Sequence, residues 1–275
     1  MTETTNQSKP NRPEFRNIHA IKDLTTYRMP AAAIVSILHR ASGAILFLLL
    51  PLIAWTFGKS ILSEVSYTSL TSIFRDGASF LPGWFFKLIA ISVIWAFLHH
   101  LCAGLRHLIM DLDHSKTSKT FGKSSAQVVF GISLLLTLAL GAKVFFFFLN
   151  ILTRIIIMTT TTIKNPASKT ALRHWKGQRI TATLIVIFTL LILAQLVFAK
   201  GPLGYELWAG IFSPTWMRLL TVIVVLGIAW HAWLGMCEIF MDYIKSAGLK
   251  SGLQIFTALW LLGSVAWFVS VLWKF

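Results

Sequence analysis

Six apolar stretches of about twenty residues or more run through this chain, and they restrict what it can fold into. A run of that length matches the hydrocarbon thickness of a bilayer, where only a helix satisfies its own backbone polar groups. Spans are expected at about 31–57, 84–110, from Ser125 onward, 180–199, 216–241 and 252–273. The expected fold class is all-α, a polytopic transmembrane helix bundle. Of the 275 residues, 56% are hydrophobic and 13% charged, which excludes a disordered, fibrous or ordinary water-soluble chain. The 21 Phe and 11 Trp suit lipid-facing and interfacial surfaces.

The net charge of +15 does not point to nucleic acid, because the basic residues cluster between the apolar runs. Lys9, Arg12, Arg16, Lys22 and Arg28 precede span 1, and Lys116, Lys119 and Lys123 follow span 2. Lys164, Lys169, Arg173, Lys176 and Arg179 precede span 4, and Lys245 and Lys250 precede span 6. These four segments read as cytoplasmic, including the N-terminus, while loops 58–83 and 200–215 read as outside. The first thirty residues are polar and basic, so no cleavable signal peptide is expected. Cys102 and Cys237 lie in apolar segments without metal-type spacing and read as buried, inert thiols.

This topology carries a parity conflict. Three spans starting inside would leave segment 164–179 outside, yet its charge places it inside. One solution is a tight hairpin at Gly141–Lys143 and a seventh span at about 144–163, at the cost of placing Arg154 near a helix centre. The other is that Met158 marks an old start codon and the chain joins two three-span units. The favoured division is therefore 1–145, a junction at 146–163 and 164–275.

Spans 2 and 5 share a pattern. His100 precedes Asp111 by eleven residues, His231 precedes Asp242 by eleven, and Gly104 and Gly235 each follow the His by four. Each His then lies about 16 Å from the rim, near the bilayer midplane. Two imidazoles at one depth suit a six-coordinate haem iron, and the glycines clear room on the same face. Hydrogen bonding between helices is the alternative, and His99 is the competing ligand in its span. On span 1, Ser36 and Arg40 share a helix face near the rim level of Asp242 and Tyr243. A hydroxyl and a guanidinium there suit a buried carbonyl ligand such as a quinone head, or else Arg40 snorkels to lipid phosphate. His39, Arg106, His107 and Arg179 form a cationic level suited to haem propionates or to anionic lipid.

Ser36-Ile-Leu-His39-Arg40-x-Ser-Gly, followed by His100-x3-Gly-x-Arg-His-x3-Asp111, resembles the cytochrome b556 subunit of bacterial succinate dehydrogenase. His231-Ala-Trp-Leu-Gly-Met and Asp242-Tyr243 resemble its partner, the hydrophobic membrane anchor subunit. The first resemblance covers about 10–145 and the second about 158–275, so the chain looks like both anchor subunits in tandem. It implies one haem b, with His100 and His231 as axial iron ligands and Arg179, His39 and His107 near the propionates. It implies a ubiquinone-reduction site of Ser36, Arg40, Asp242 and Tyr243, with no catalytic residue in the strict sense. The implied partners are the flavoprotein, which oxidises succinate, and the iron–sulfur subunit that feeds electrons onward. The implied setting is the bacterial inner membrane and its lipid, with room for a higher oligomer of the complex. The nearest rival is a fumarate reductase anchor, running the chemistry in reverse. A small transporter would need broken helices in spans 2 or 5, and a purely structural anchor would be colourless.

Overall fold

The computed structural model describes residues 29–112, 118–145, 169–199 and 204–275. Residues 146–163 with Arg154 and Met158, the basic residues Lys9 to Arg28, and Lys116 and Lys164 lie outside them. Among the described residues the chain is helical, with six helices long and apolar enough to cross a membrane. The elements are α1 (Ala31–Leu48), α2 (Leu50–Ile61), α3 (Glu64–Asp76), α4 (Gly83–Leu112) and α5 (Lys119–Phe145), then α6 (Lys169–Val197), α7 (Tyr205–Phe212), α8 (Thr215–Tyr243) and α9 (Ala247–Lys274).

The expected first span divides into α1 and α2. Pro51 has no N–H, so the Phe47 carbonyl one turn earlier loses its helical donor. Trp260 on α9 supplies the replacement, its Nε1 donating to Phe47 O at 3.0 Å. The carbonyl that Pro51 leaves free is thus paired by a side chain from the far end of the sequence, as a bilayer interior requires.

Four sequence readings are refined. The stretch 58–83 is not a plain loop. It contains α3, begun by a reciprocal cap between Ser63 and Ser66. A turn follows, with Gly77 at φ 96° and an isolated bridge between Ala78 and Leu81. The stretch 200–215 likewise holds α7, which Trp208 Nε1 ties to Ser60 Oγ (3.0 Å) and Tyr205 OH to Ile61 O (3.2 Å). Ile61, Phe212, Met217 and Leu272 bury one another beneath it. The hairpin at Gly141–Lys143, one of the two solutions to the parity conflict, does not form, since α5 runs unbroken through it. Gly141 instead lets α5 approach Ile91 of α4, where an added Cβ would come within 3.3 Å. Span 4 also begins earlier than 180, because Lys, Arg and Gln extend a helix readily beyond the apolar run.

Helices α1, α4 and α5 pack together, and α8 packs against both α6 and α9. The two sets meet through α1 against α8, α4 against α6 and α2 against α9. Leu and Ile side chains of α5, α6 and α9 face outward, for example Leu135, Ile187 and Leu262, giving the bundle an apolar exterior.

Candidate functional site

The C-terminal ends of α4 and α8, the middle of α1 and the N-terminal half of α6 converge at one end of the bundle. Four interactions cross between helix sets there. Arg40 on α1 reaches the end of α8, with Nη1 donating to Tyr243 OH at 3.1 Å and Nη2 pairing with Asp242 Oδ2 at 2.9 Å. Its guanidinium also lies 5.7 Å from the Tyr243 ring centroid. Arg179 on α6 pairs with Asp111 at the end of α4 and lies over the Trp175 ring at 4.8 Å. The helix α6 begins at Lys169 and its apolar span at Trp175, so Arg179 lies one turn into the span. Arg40, Asp242 and Tyr243 thus come together. Ser36 lies one turn before Arg40 on α1, half-buried and without a hydrogen-bond partner among the described residues.

Deeper in the bundle, the rings of His100 and His231 face each other in a T-shape, with centroids 6.1 Å apart. His39 stacks on His100 at 4.2 Å and lies 5.3 Å from His107. His99 points elsewhere. Its ring is buried against α5, with Nδ1 3.3 Å from Ser133 Oγ and a stacked Trp95 at 5.5 Å. Arg106 also turns to α5, where Nε donates to Ser125 Oγ at 2.9 Å, so it does not join the cationic level expected of it. Both cysteines are free, Cys237 buried and Cys102 half-buried.

Each facing histidine has its Nδ1 fixed. His100 Nδ1 lies 3.1 Å from the His39 carbonyl, which can only accept, so Nδ1 carries the proton. His231 Nδ1 lies 3.1 Å from Thr181 Oγ1. The Thr181 hydroxyl donates to the Gly177 carbonyl at 2.8 Å, so towards His231 it accepts. Both Nε2 atoms are then the unprotonated nitrogens, and neither has a hydrogen-bond partner among the described residues.

This donor set fits a haem iron. Two imidazoles bound on opposite sides of one metal at about 2 Å have ring centroids roughly 6 Å apart. No cluster of three or more His, Cys, Asp or Glu that would hold a different metal occurs among the described residues. A Cβ at Gly104 would be in contact with His39 Nε2 at 3.7 Å, and one at Gly235 with Gln178 Nε2 at 3.9 Å, so a polar side chain stands against each glycine. Gly43 is needed for a different reason, because a Cβ there would come within 2.8 Å of His100 Cε1.

Several contributors escape sequence inspection: Ser42, Thr181, Gln178, Gly43, and Asp111 as a partner of Arg179. One available signal is Arg-x-Ser at 40–42 repeated as Arg-x-Thr at 179–181. The correspondence continues residue by residue. His39 and Gln178 stand against Gly104 and Gly235, and they contact His107 and Glu238 respectively. The two helix sets therefore repeat one arrangement, broken where Tyr243 of one side corresponds to Leu112 of the other.

The chain matches the profile of the succinate dehydrogenase/fumarate reductase transmembrane subunit over residues 9–140 and again over 156–271. It is similar to the succinate dehydrogenase hydrophobic membrane anchor subunit of Coxiella burnetii, with 37% identity over 106 residues, 38% of this chain and 91% of the relative. It is also similar to the succinate dehydrogenase cytochrome b556 subunit of Coxiella burnetii, with 37% identity over 119 residues, 43% of this chain and 90% of the relative. The cytochrome b556 subunit of Paracoccus denitrificans is 33% identical over 125 residues, 46% of this chain and 89% of that relative.

Proposed function

Because the chain belongs to the succinate dehydrogenase/fumarate reductase transmembrane subunit family, we propose that it anchors a succinate:quinone oxidoreductase, holds haem b and forms the quinone-reduction site. The relatives named above are succinate dehydrogenase subunits, which favours this direction over fumarate reduction. The double family match supports reading the chain as a cytochrome b556-like unit joined to an anchor-like unit. The partners are then the flavoprotein and iron–sulfur subunits, docked at the basic rim, with the N-terminus cytoplasmic in a bacterial inner membrane.

The observation that carries the site reading is the Arg40–Tyr243–Asp242 constellation, which needs residues from both ends of the sequence. Arg40 holds the phenol oxygen of Tyr243 as acceptor, leaving the Tyr243 proton free to donate to a quinone carbonyl. Asp242 balances the guanidinium and fixes its plane. Ser36, unpartnered one turn away, is placed to donate to the other carbonyl. The positive charge of Arg40 stabilises negative charge developing on the quinone oxygen as electrons arrive from the iron–sulfur subunit. Protons enter from the rim side, where Arg40, Asp242 and Tyr243 are exposed.

His100 and His231 would hold haem b through Nε2, and His39, His107 and Arg179 stand at the level suited to its propionates. Bound there, haem b supplies a one-electron redox centre between the two helix sets.

The test is quinone reduction by the purified complex carrying Arg40→Leu or Ser36→Ala. Each should lower the rate while the haem spectrum stays unchanged. Loss of haem from either variant would contradict this division of roles.

A further inference from the structure

The two helix sets carry one rim arrangement twice, and the copies differ at two side chains. In the first, Arg40 on α1 meets Asp242 and Tyr243 of α8, and Ser36 stands one turn before the arginine. In the second, Arg179 on α6 meets Asp111 of α4, and the matching positions hold Leu112 and Trp175. Trp175 thus answers to Ser36, and Leu112 to Tyr243.

The contacts differ in the same sense. Arg40 donates to the Tyr243 hydroxyl and lies 5.7 Å from that ring's centroid, so its aromatic partner comes from the opposite helix set. Arg179 lies 4.8 Å from the ring centroid of Trp175, a residue of its own helix. The second pair is also less open. The Arg179 and Asp111 side chains are 27% and 33% exposed, against 43% and 49% for Arg40 and Asp242.

We propose that the Arg179–Asp111 rim is a closed twin of the quinone site, and that Trp175 and Leu112 confine quinone to the Arg40 side. The inference rests on the quinone reading above. A quinone head is flat, with an acceptor at each end, so it needs a slot beside the guanidinium and a donor at each carbonyl. Ser36 offers a small side chain and one hydroxyl, and Tyr243 offers the other. Trp175 fills the place a serine would leave open, its ring held on Arg179 by a cation–π contact. Leu112 has no donor. Each carbonyl left unpaired in a desolvated site weakens binding about ten- to hundredfold. One residue therefore denies space and the other denies a bond, and both act against the same ligand.

The test is photolabelling of the purified complex with an azido-substituted ubiquinone, using a short-chain ubiquinone as competitor and mass spectrometry to find the labelled peptides. In the native complex, label that the competitor removes should fall on the α1 and α8 segments around Arg40 and Tyr243 alone. Trp175→Ser combined with Leu112→Tyr should add label at the end of α4 and in the first half of α6. Adding Arg40→Leu to that variant should remove the first label and keep the second. Leu112→Tyr by itself, with the Trp175 ring in place, should add none. If the combined variant fails to assemble, Trp175→Ser alone opens the slot, and its new label should need about ten- to hundredfold more probe.

Competitor-sensitive label at the α4 and α6 segments of the native complex would overturn the proposal, because the twin would already be open. So would label confined to α1 and α8 in the combined variant, if its thermal midpoint and haem spectrum match the native complex. Native label on neither pair of segments would instead remove the quinone reading from which the inference starts.

Discussion

Arg40 holds two acceptors from the end of another helix, although its side chain is 43% exposed and that of Asp242 is 49% exposed. Ion pairs this open contribute only about 0–1 kcal/mol to stability. The pair is therefore better explained by what it presents to a ligand than by what it adds to the fold. Asp242→Asn is expected to leave the thermal midpoint of the purified complex nearly unchanged while quinone reduction falls at least about tenfold, the cost of one strong oriented contact. A large loss of thermal stability with normal quinone turnover would reverse that assignment. Gly43→Ala belongs to the same scale. The new methyl must displace the His100 ring or the α1–α4 contact, so the haem spectrum should shift or disappear, and an unaltered spectrum at full occupancy would contradict the packing described. Ser36, Arg40, His100, His231 and Asp242 were legible because charged and ring-bearing residues are conspicuous in apolar spans. Ser42 and Thr181 were not, because a hydroxyl in a helix ordinarily bonds its own backbone, and both do so here as well.

At the scale of elements, the long apolar spans were legible from length alone, and the exceptions have identifiable causes. Helices α3 and α7 are short or polar, so hydropathy does not reveal them; α3 depends on its Ser63–Ser66 cap and α7 on ties to Ser60 and Ile61. Gly141 reads as a turn in sequence, yet its missing side chain serves a close approach between α4 and α5. The α1–α2 break follows from Pro51, but its repair by Trp260 is a tertiary contact that local sequence does not encode. Trp260→Phe removes the donor and leaves the Phe47 carbonyl unpaired in the bundle. Thermal denaturation followed by circular dichroism should show a loss of about 1–3 kcal/mol. No change would mean that the carbonyl finds another donor.

For the whole molecule, the organising feature is a reciprocal exchange. The first long helix of each set sends an arginine to the aspartate that ends the second long helix of the other, Arg40 to Asp242 and Arg179 to Asp111. Sequence inspection saw the matched histidines and aspartates but not this crossing, because helix spacing says nothing about which helices become neighbours. Reversing the inner pair as Arg179→Asp with Asp111→Arg should recover the thermal stability that either single change loses, and failure of the double variant to exceed both singles would argue against a direct pair. The exchange brings His100 and His231 to a common depth with both Nε2 atoms uncommitted among the described residues, which is the central claim. Its most direct test is a dithionite-reduced minus oxidised optical spectrum of the purified complex, recorded for the native chain and for His231→Leu. The account predicts a b-type α-band in the first that is lost or shifted in the second. A flat native spectrum from well-folded protein, or an unchanged band in His231→Leu, would contradict it.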